Sequence, residues 1–349
     1  MNLKNFAHIT YQDVIHREPR PTFFTEEEIQ RLSKERFLIT GAGGSIGSRI
    51  VSLLASIPGV NFLATDRDES ALHSLSLSLT KTALFETERY QLLDIRDQDG
   101  VDECLSSYKP TTIIHAAALK HLSVLEKQPR EATLTNVFGS ANMIEAGISH
   151  NVKSFVNIST DKAASPTSVL GLSKHIAELY TSHIRHSEGI AYTSCRFGNV
   201  FNSRGSVIET FVSQIQSGSP ITLTDVDVTR FFMHVDEAAF LTVKSFLINQ
   251  SDVHVFDMGD PIRLLTVVHN LQTFMGGSSA ILITGLRKGE KLHEVLIDNN
   301  TVFSPTIHPH ISAISLEDIV IKQSDLIELV QRRDERQLTQ TLKQLSLGI

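Results

Sequence analysis

Tryptophan is absent and tyrosine is scarce, with five in 349 residues. The first absence decides nothing about function; the second matters at one position, reached below. Only two cysteines occur, Cys104 and Cys195. Far apart in sequence, they fit neither a disulfide framework nor a zinc spacing, which leaves a reducing cytoplasm as the expected location. No apolar run reaches the ~18–20 residues needed to cross a bilayer. The N-terminal "MNLKNFAHITYQDVIHREPR" has no signal-peptide core. The chain therefore reads as soluble and without a membrane span. Excess positive charge is also missing. The formal charge is −7, so the global signature of a nucleic-acid binder is absent. Internal repeats and low-complexity segments are lacking too. What remains is an ordinary globular composition, long enough for one large or two modest domains with a real core.

Residues 1–35 are polar and punctuated by proline, with a short helical pattern in "TEEEIQRLSKE". They read as an arm. From residue 36 short apolar runs alternate with helical patterns. The expected strands are "RFLIT", "VNFLATD", "YQLLD", "TTIIHAAA", "SFVNIST" and "AYTSCRF". Between them lie helical stretches such as "SIGSRIVSLLAS", "ESALHSLSLSLTK" and "REATLTNVFGSANMIEAGISH". Strands alternating with helices predict an α/β fold, a Rossmann-like doubly wound parallel sheet with right-handed crossovers. This portion is expected over residues 36–200. The alternation loosens in 201–349, where "VIETFVSQIQSG", "DEAAFLTVKSFLIN" and "IELVQRRDERQLTQTLKQL" look helical and "PITLT" and "HVFDMG" look like strands. That part is expected to be a smaller, mainly substrate-binding α/β portion, with some interleaving.

"ITGAGGSIGSR" places Gly41, Gly43, Gly44 and Gly47 between a strand and a helix. GxGxxG alone is weak; strand before and helix after is the context that strengthens it. Glycines let the backbone approach a pyrophosphate, and free N–H groups at the helix start, over Ser45 and Ile46, bind its charge. Asp66 ends the second strand. A carboxylate there accepts from adenosine ribose hydroxyls and repels a 2′-phosphate, favouring NAD. The adjacent Arg67 leaves NADP open. Asp94 and Ile95 follow the third strand, where an adenine amino group would lie. Ala116 and Ala117 follow the fourth, where a cofactor would pass close to the chain.

"STDKAASPTSVLGLSKH" ends the fifth strand with a hydroxyl, a carboxylate and an amine: Thr160, Asp161 and Lys162. In open α/β sheets ligands bind at this edge. Asp161 can serve as base or acid. Lys162 can take a proton from carbon only if its pKa is lowered. Lys174 lies on the next helix. Where nicotinamide enzymes of this layout carry a tyrosine, four residues before that lysine and on the same helix face, this chain has Leu170. A leucine cannot take a proton.

Seven segments together resemble the extended short-chain dehydrogenase/reductases, and within them the nucleotide-sugar 4,6-dehydratases that act on UDP-N-acetylglucosamine. They are "LITGAGGSIGS", "IIHAAALKHLSVLEKQP", "TNVFGSANMIEA", "ISTDKAASPTSVLGLSK", "RFGNVFNSRGSVIETF", "TRFFMHVDEAA" and "TGLRKGEKLHE". The resemblance runs from about residue 14 to 298. In the large membrane-anchored branch the tyrosine is commonly methionine, in a context like "PTNVMGATK"; this chain reads "PTSVLGLSK". Leu170 thus looks like a variation on that branch. The resemblance implies a closed redox cycle with tightly bound, recycled NAD. Hydride leaves sugar C4, water is eliminated across C5 and C6, and the hydride returns to C6. It implies Asp161 at the O4 proton and the departing C6 hydroxyl, Lys162 at the C5 proton, Thr160 orienting O4, and Lys174 on the nicotinamide ribose. By the same resemblance, Lys120, Asn199, Arg230, Arg287 and Glu290 are expected substrate contacts, the arginines suiting a diphosphate. Glu290 is alternatively a partner for an arginine. The branch also implies retention at C5, a UDP-sugar as partner, and a homo-oligomer.

Two other readings stand beside it. An epimerase of the same fold would use the ketone only to invert a centre; "TDK" favours elimination, which needs both a base and an acid. A catalytically silent dinucleotide-binding protein rests on Leu170 alone. No metal site is expected: "HIRH" (His183, His186) lacks a ligand set with zinc spacing, and "QRRDERQ" reads as an exposed charge run.

Overall fold

The computed structural model describes residues 9–82, 88–248, 251–298, 301–316, 319–332 and 334–348. Residues 1–8 of the arm, Asn249 at the end of one expected helix and Arg333 in the charge run lie outside them. The first six strands are β1 (Arg36–Thr40), β2 (Asn61–Asp66), β3 (Tyr90–Leu92), β4 (Thr112–His115), β5 (Ser154–Ile158) and β6 (Ala191–Arg196). They pair in parallel in the order β3-β2-β1-β4-β5-β6, the doubly wound arrangement. The order reverses between β1 and β4, and a crevice opens there at the C-terminal edge. β1 and β4 are buried almost throughout, as a sheet covered on both faces requires.

Residues beyond 200 return to this sheet. Val253–Phe256 pairs in parallel with β6, with His254 opposite Cys195. Ile311–Ile314 then adds antiparallel, and Phe303–Pro305 forms the edge. The helix Val235–Ile248 is buried along most of its length beneath the same sheet. Interleaving across residue 200 is therefore extensive.

Two apolar layers sandwich the sheet. One holds Ile50, Leu54, Phe240 and Phe246; the other holds Ile144, Leu170, Ile176 and Leu342. A separate cluster makes the smaller lobe from the helices Val207–Gln216 and Leu264–Met275 and nearby short strands. The arm is packed into both parts. Tyr11, Val14 and Ile15 belong to the small-lobe core, and Leu32 is fully buried in the main one. Arg17 and Arg20 pair with Glu237 and Asp257 between them.

One expected helix is two. The run read as continuous over "IELVQRRDERQLTQTLKQL" forms Gln323–Gln331 and Glu335–Leu347. Asp334 stops continuity by capping the second: its side chain accepts from Gln337 N at 2.8 Å.

Candidate active site

β1 ends at the glycine turn, and the helix Ser45–Ala55 starts immediately after it. Gly41 has φ +65°, and a Cβ there would meet Ala117 N at 2.5 Å, so only glycine fits. The N-cap is Gly44, which supplies no side-chain cap. The first-turn N–H groups are thus left for an outside acceptor. Asp66 Oδ2 accepts from Gly43 N at 2.9 Å, fixing the acid beside the turn. Gly41, Gly44, Asp66, Arg67, Asp94, Ile95, Ala116 and Ala117 line one cleft. Eight of the residues expected to hold a dinucleotide thus line one cleft, while Gly43, Ser45, Ile46, Gly47 and Lys174 are not among its lining, and an uncapped helix start facing a small-residue cleft fits a pyrophosphate. Asp94 is engaged: both its oxygens accept from Arg96, which holds its carboxyl below the ordinary range.

Sequence reading missed Arg204. Its Nη2 donates to Gly43 O at 2.5 Å, and its backbone N donates to Ser45 Oγ at 2.9 Å. The turn that carries it belongs to "NVFNSRGSV", so the segment was noticed but not this residue.

Across the sheet, register aligns Thr40 with His115 and His115 with Asn157. His115 is wholly buried, with Nδ1 2.7 Å from Thr40 Oγ1 and Nε2 3.0 Å from Ser140 Oγ. Ser140 spends its own hydrogen on Asn136 O, so Nε2–H donates to Ser140 and Nδ1 accepts from Thr40. Burial, aided by Lys174, pushes His115 down to about 3; it is a neutral imidazole at physiological pH.

β5 runs into the turn that carries Thr160, Asp161 and Lys162. Ser159 N donates to Cys195 O and Asp161 N to Phe197 O, which pins the turn to the β6 side of the sheet. The 3₁₀ turn Asp161–Ala163 follows. Ser168 then caps the long helix Val169–Glu188, accepting from Gly171 N at 3.1 Å. A Cβ on Gly171 would lie 2.3 Å from Lys162 O, so this glycine lets the helix press against the turn. The buried ion pair Glu178–Arg196 locks the helix to β6, with Oε2 and Nη2 at 2.5 Å.

Asp161 is fully buried. Its Oδ1 accepts from Thr160 Oγ1 at 2.8 Å and from Lys162 Nζ at 3.0 Å. Its Oδ2 has no partner among the described residues. Lys162 also lies 3.5 Å from Glu294 Oε1, a residue not singled out from sequence although "GEKLHE" was. The condition set for Lys162 as a base, a lowered pKa, is not met in this arrangement. Burial would push the amine down, but Asp161 and Glu294 outweigh it and hold it above the ordinary lysine value. Burial lowers Lys174, Lys120 and Lys291 instead, and Lys174 is the one of them that is buried, on the helix. Burial pushes this amine down to about 8, with Glu178 opposing. Among the described residues its Nζ hydrogen-bonds only to Asn157 Oδ1, at 3.4 Å.

Leu170 is buried in the apolar layer, so hydrocarbon fills the phenol position. Asn136 is a second omission. It lies in the π-helical stretch Thr133–Gly139, its Oδ1 accepts from Leu119 N, and its Nδ2 donates to Leu119 O and Ser173 Oγ. It ties the loop after β4 to the Lys174 helix; widened helical turns of this kind gather at functional sites.

The expected substrate contacts divide. Arg230 is buried, donating to Thr229 O, Leu292 O and Glu290 Oε1. Glu290 is thus an arginine partner here. Arg287 is exposed, and its backbone N donates to Glu290 Oε2 at 3.2 Å. Lys120 is exposed on the loop after β4. Asn199 opens a two-residue strand pairing with Phe232–Met233. His186 pairs with Asp252 at 2.8 Å. No group of three metal-ligating side chains occurs among the described residues, and no helix among them is long and apolar enough to cross a membrane.

Strand order, glycine turn and sheet-end residues define a Rossmann-like protein of the short-chain dehydrogenase/reductase fold. The sequence pattern of a family described as "Polysaccharide biosynthesis protein" matches residues 37–316. The chain is 35% identical over 308 residues to the "Probable polysaccharide biosynthesis protein EpsC" of Bacillus subtilis (strain 168), covering 86% of this chain and 51% of that one. It is 32% identical over 270 residues to a "UDP-glucose 4-epimerase" of Rickettsia canadensis (strain McKiel), covering 75% and 77%. The solved structure of Pen from Bacillus thuringiensis superposes with a TM-score of 0.74 at 31% identity, covering 81% of this chain and 88% of that one. The chain belongs to the polysaccharide biosynthesis protein family. It spans about half the length of the EpsC protein.

Proposed function

We propose that this chain is a nucleotide-sugar 4,6-dehydratase that converts UDP-N-acetylglucosamine to a 4-keto-6-deoxy sugar nucleotide, with NAD bound and recycled. The observation that carries the reading is the turn itself. It buries a carboxylate with one oxygen unpartnered among the described residues and the other hydrogen-bonded by a hydroxyl and an ammonium, in a chain where an apolar Leu170 replaces the phenol. Gly41–Gly47, Asp66 and Lys174 would hold the dinucleotide. Asp66 favours NAD, and Arg67 keeps NADP open. When bound, the cofactor supplies a reversible hydride acceptor beside the sugar.

The chain's own residues then manage protons. Asp161 Oδ1 is occupied, so Oδ2 takes the O4 proton and later gives it to the departing C6 hydroxyl. Thr160 orients O4 and donates where charge develops. Lys162 exchanges the C5 proton as the neutral amine. Because its pKa is held high, turnover should rise with pH through the alkaline range. Exposed Arg287 and Lys120 are left to meet the diphosphate and the sugar.

A 4-epimerase is the second reading, favoured by the Rickettsia relative's name. One reaction in D₂O separates them. Protein and UDP-N-acetylglucosamine, with and without added NAD⁺, are followed by proton NMR and mass spectrometry. Loss of water, one deuterium at C5 and a new C6 methyl establish dehydration, and ring couplings report C5 retention, the expected outcome. An isomer of unchanged composition moves the assignment to epimerase. No conversion with dinucleotide bound refutes the substrate or marks a silent protein. Asp161→Asn should abolish turnover while leaving the dinucleotide in place; retained turnover would remove Asp161 from the mechanism.

A further inference from the structure

Lys162 stands between two buried carboxylates. Asp161 is 0% exposed and Glu294 5%. Each keeps one oxygen, Asp161 Oδ2 and Glu294 Oε2, without a hydrogen-bond partner among the described residues. Lys291 Nζ lies 4.0 Å from Glu294 Oε2. An incompletely satisfied buried carboxylate is costly, and packing alone would be served by an apolar side chain. Glu294 is also held in place by more than its ion pair. Its segment is fastened to the catalytic turn and the helix start where Lys291 Nζ donates to Ala164 O at 2.9 Å and Thr167 Oγ1 to Gly289 O at 3.2 Å. Lys288 Nζ, 3.2 Å from Glu126 Oε2, adds a third tie.

We propose that Glu294 is a positioning residue of this site: it holds the Lys162 amine against Asp161 and sets the charge that amine carries when substrate arrives. The consequence for turnover rests on the dehydratase reading; the charge of the amine does not. The charged groups facing Lys162 are Asp161 on its own turn, Glu294 and Lys291 on the packed segment, and Arg230 on its short strand. The two carboxylates favour the ammonium, and the two cations oppose it. Removing Glu294 deletes one of only two attractions. An opposite charge this close moves a pKa by about 1–3 units.

The test uses the whole chain labelled with ¹³C-lysine. The Cε shift of Lys162, identified by its loss in Lys162→Arg, is followed against pH. In Glu294→Gln the midpoint is expected to fall by at least about one unit. In Glu294→Asp, which keeps the charge, it should fall less and serves if the glutamine variant does not fold. An unchanged midpoint in either variant, with native circular dichroism, overturns the proposal. The pH profile of kcat/KM should follow the same shift. If the chain does not convert UDP-N-acetylglucosamine, the kinetic arm fails and the dehydratase reading with it, while the NMR arm still decides the role of Glu294. A moved midpoint with an unmoved profile supports Glu294 and removes Lys162 as the C5 group.

Discussion

Lys174 should make the dinucleotide-free protein less stable than it need be. The side chain is 4% exposed, no carboxylate lies within ion-pair distance among the described residues, and its amine contacts only Asn157 Oδ1 at 3.4 Å. Its pKa falls from 10.5 to about 8 on folding. The unfolded chain therefore binds more protons between those values, so stability rises with pH across that window. The difference of about 2.5 units, at 1.36 kcal/mol each, makes about 3 kcal/mol of cost at pH 7. By pH 10 the folded amine is neutral and the unfolded one partly so, and about 1 kcal/mol remains. Lys174→Met keeps the stem and removes the charge. It strands Asn157 Oδ1, which returns about 1 kcal/mol of the gain. Urea denaturation of the stripped protein should thus find the variant more stable by about 2 kcal/mol at pH 7, with the gain vanishing near pH 10. Turnover should be lost if Lys174 makes the proposed ribose contact, which goes with the amine. A variant that is less stable at pH 7, or whose advantage does not change with pH, would refute the reasoning.

Three further outcomes are expected. Leu170→Met replaces a branched hydrocarbon with an unbranched thioether of similar volume in the apolar layer; it should keep turnover and cost under about 1.5 kcal/mol by denaturation, and a loss of activity would show that the leucine itself is required. Arg204→Ala should speed dinucleotide release about fivefold, equivalent to about 1 kcal/mol for an exposed contact, read by stopped-flow fluorescence, with Arg204→Lys recovering part of it; unchanged release would leave Arg204 without a role at the glycine turn. Leu32→Ala, in the supposed arm, should cost about 2–5 kcal/mol because Leu32 is fully buried in the main core; a neutral effect in a melt would show the arm to be separable.

The parallel sheet could be read from sequence because each of its first six strands is a short apolar run followed by a helix, a pattern local to some thirty residues. The return of Val253–Phe256 to β6 could not. Pairing His254 with Cys195 leaves no local mark, and "HVFDMG" looks the same in either lobe. The break at Asp334 did leave one, an acid three residues before Gln337 that caps a new helix. A continuing apolar period hid it. At the site the division is sharper. Residue types and spacing announced the glycine turn and "TDK", because the chemistry needs those groups at a strand end. They could not announce the charge on Lys162. A lysine beside one aspartate, buried, could fall either way, since desolvation and attraction have opposite signs. Glu294, distant in sequence, adds a second attraction to that of Asp161. Of Lys162 and Lys174, the one with the lowered pKa is on the helix, where no carboxylate comes within ion-pair reach among the described residues. Which of the two lysines holds its proton more weakly is therefore a property of tertiary approach, and a substitution at Glu294 should narrow the gap between them while "TDK" stays intact.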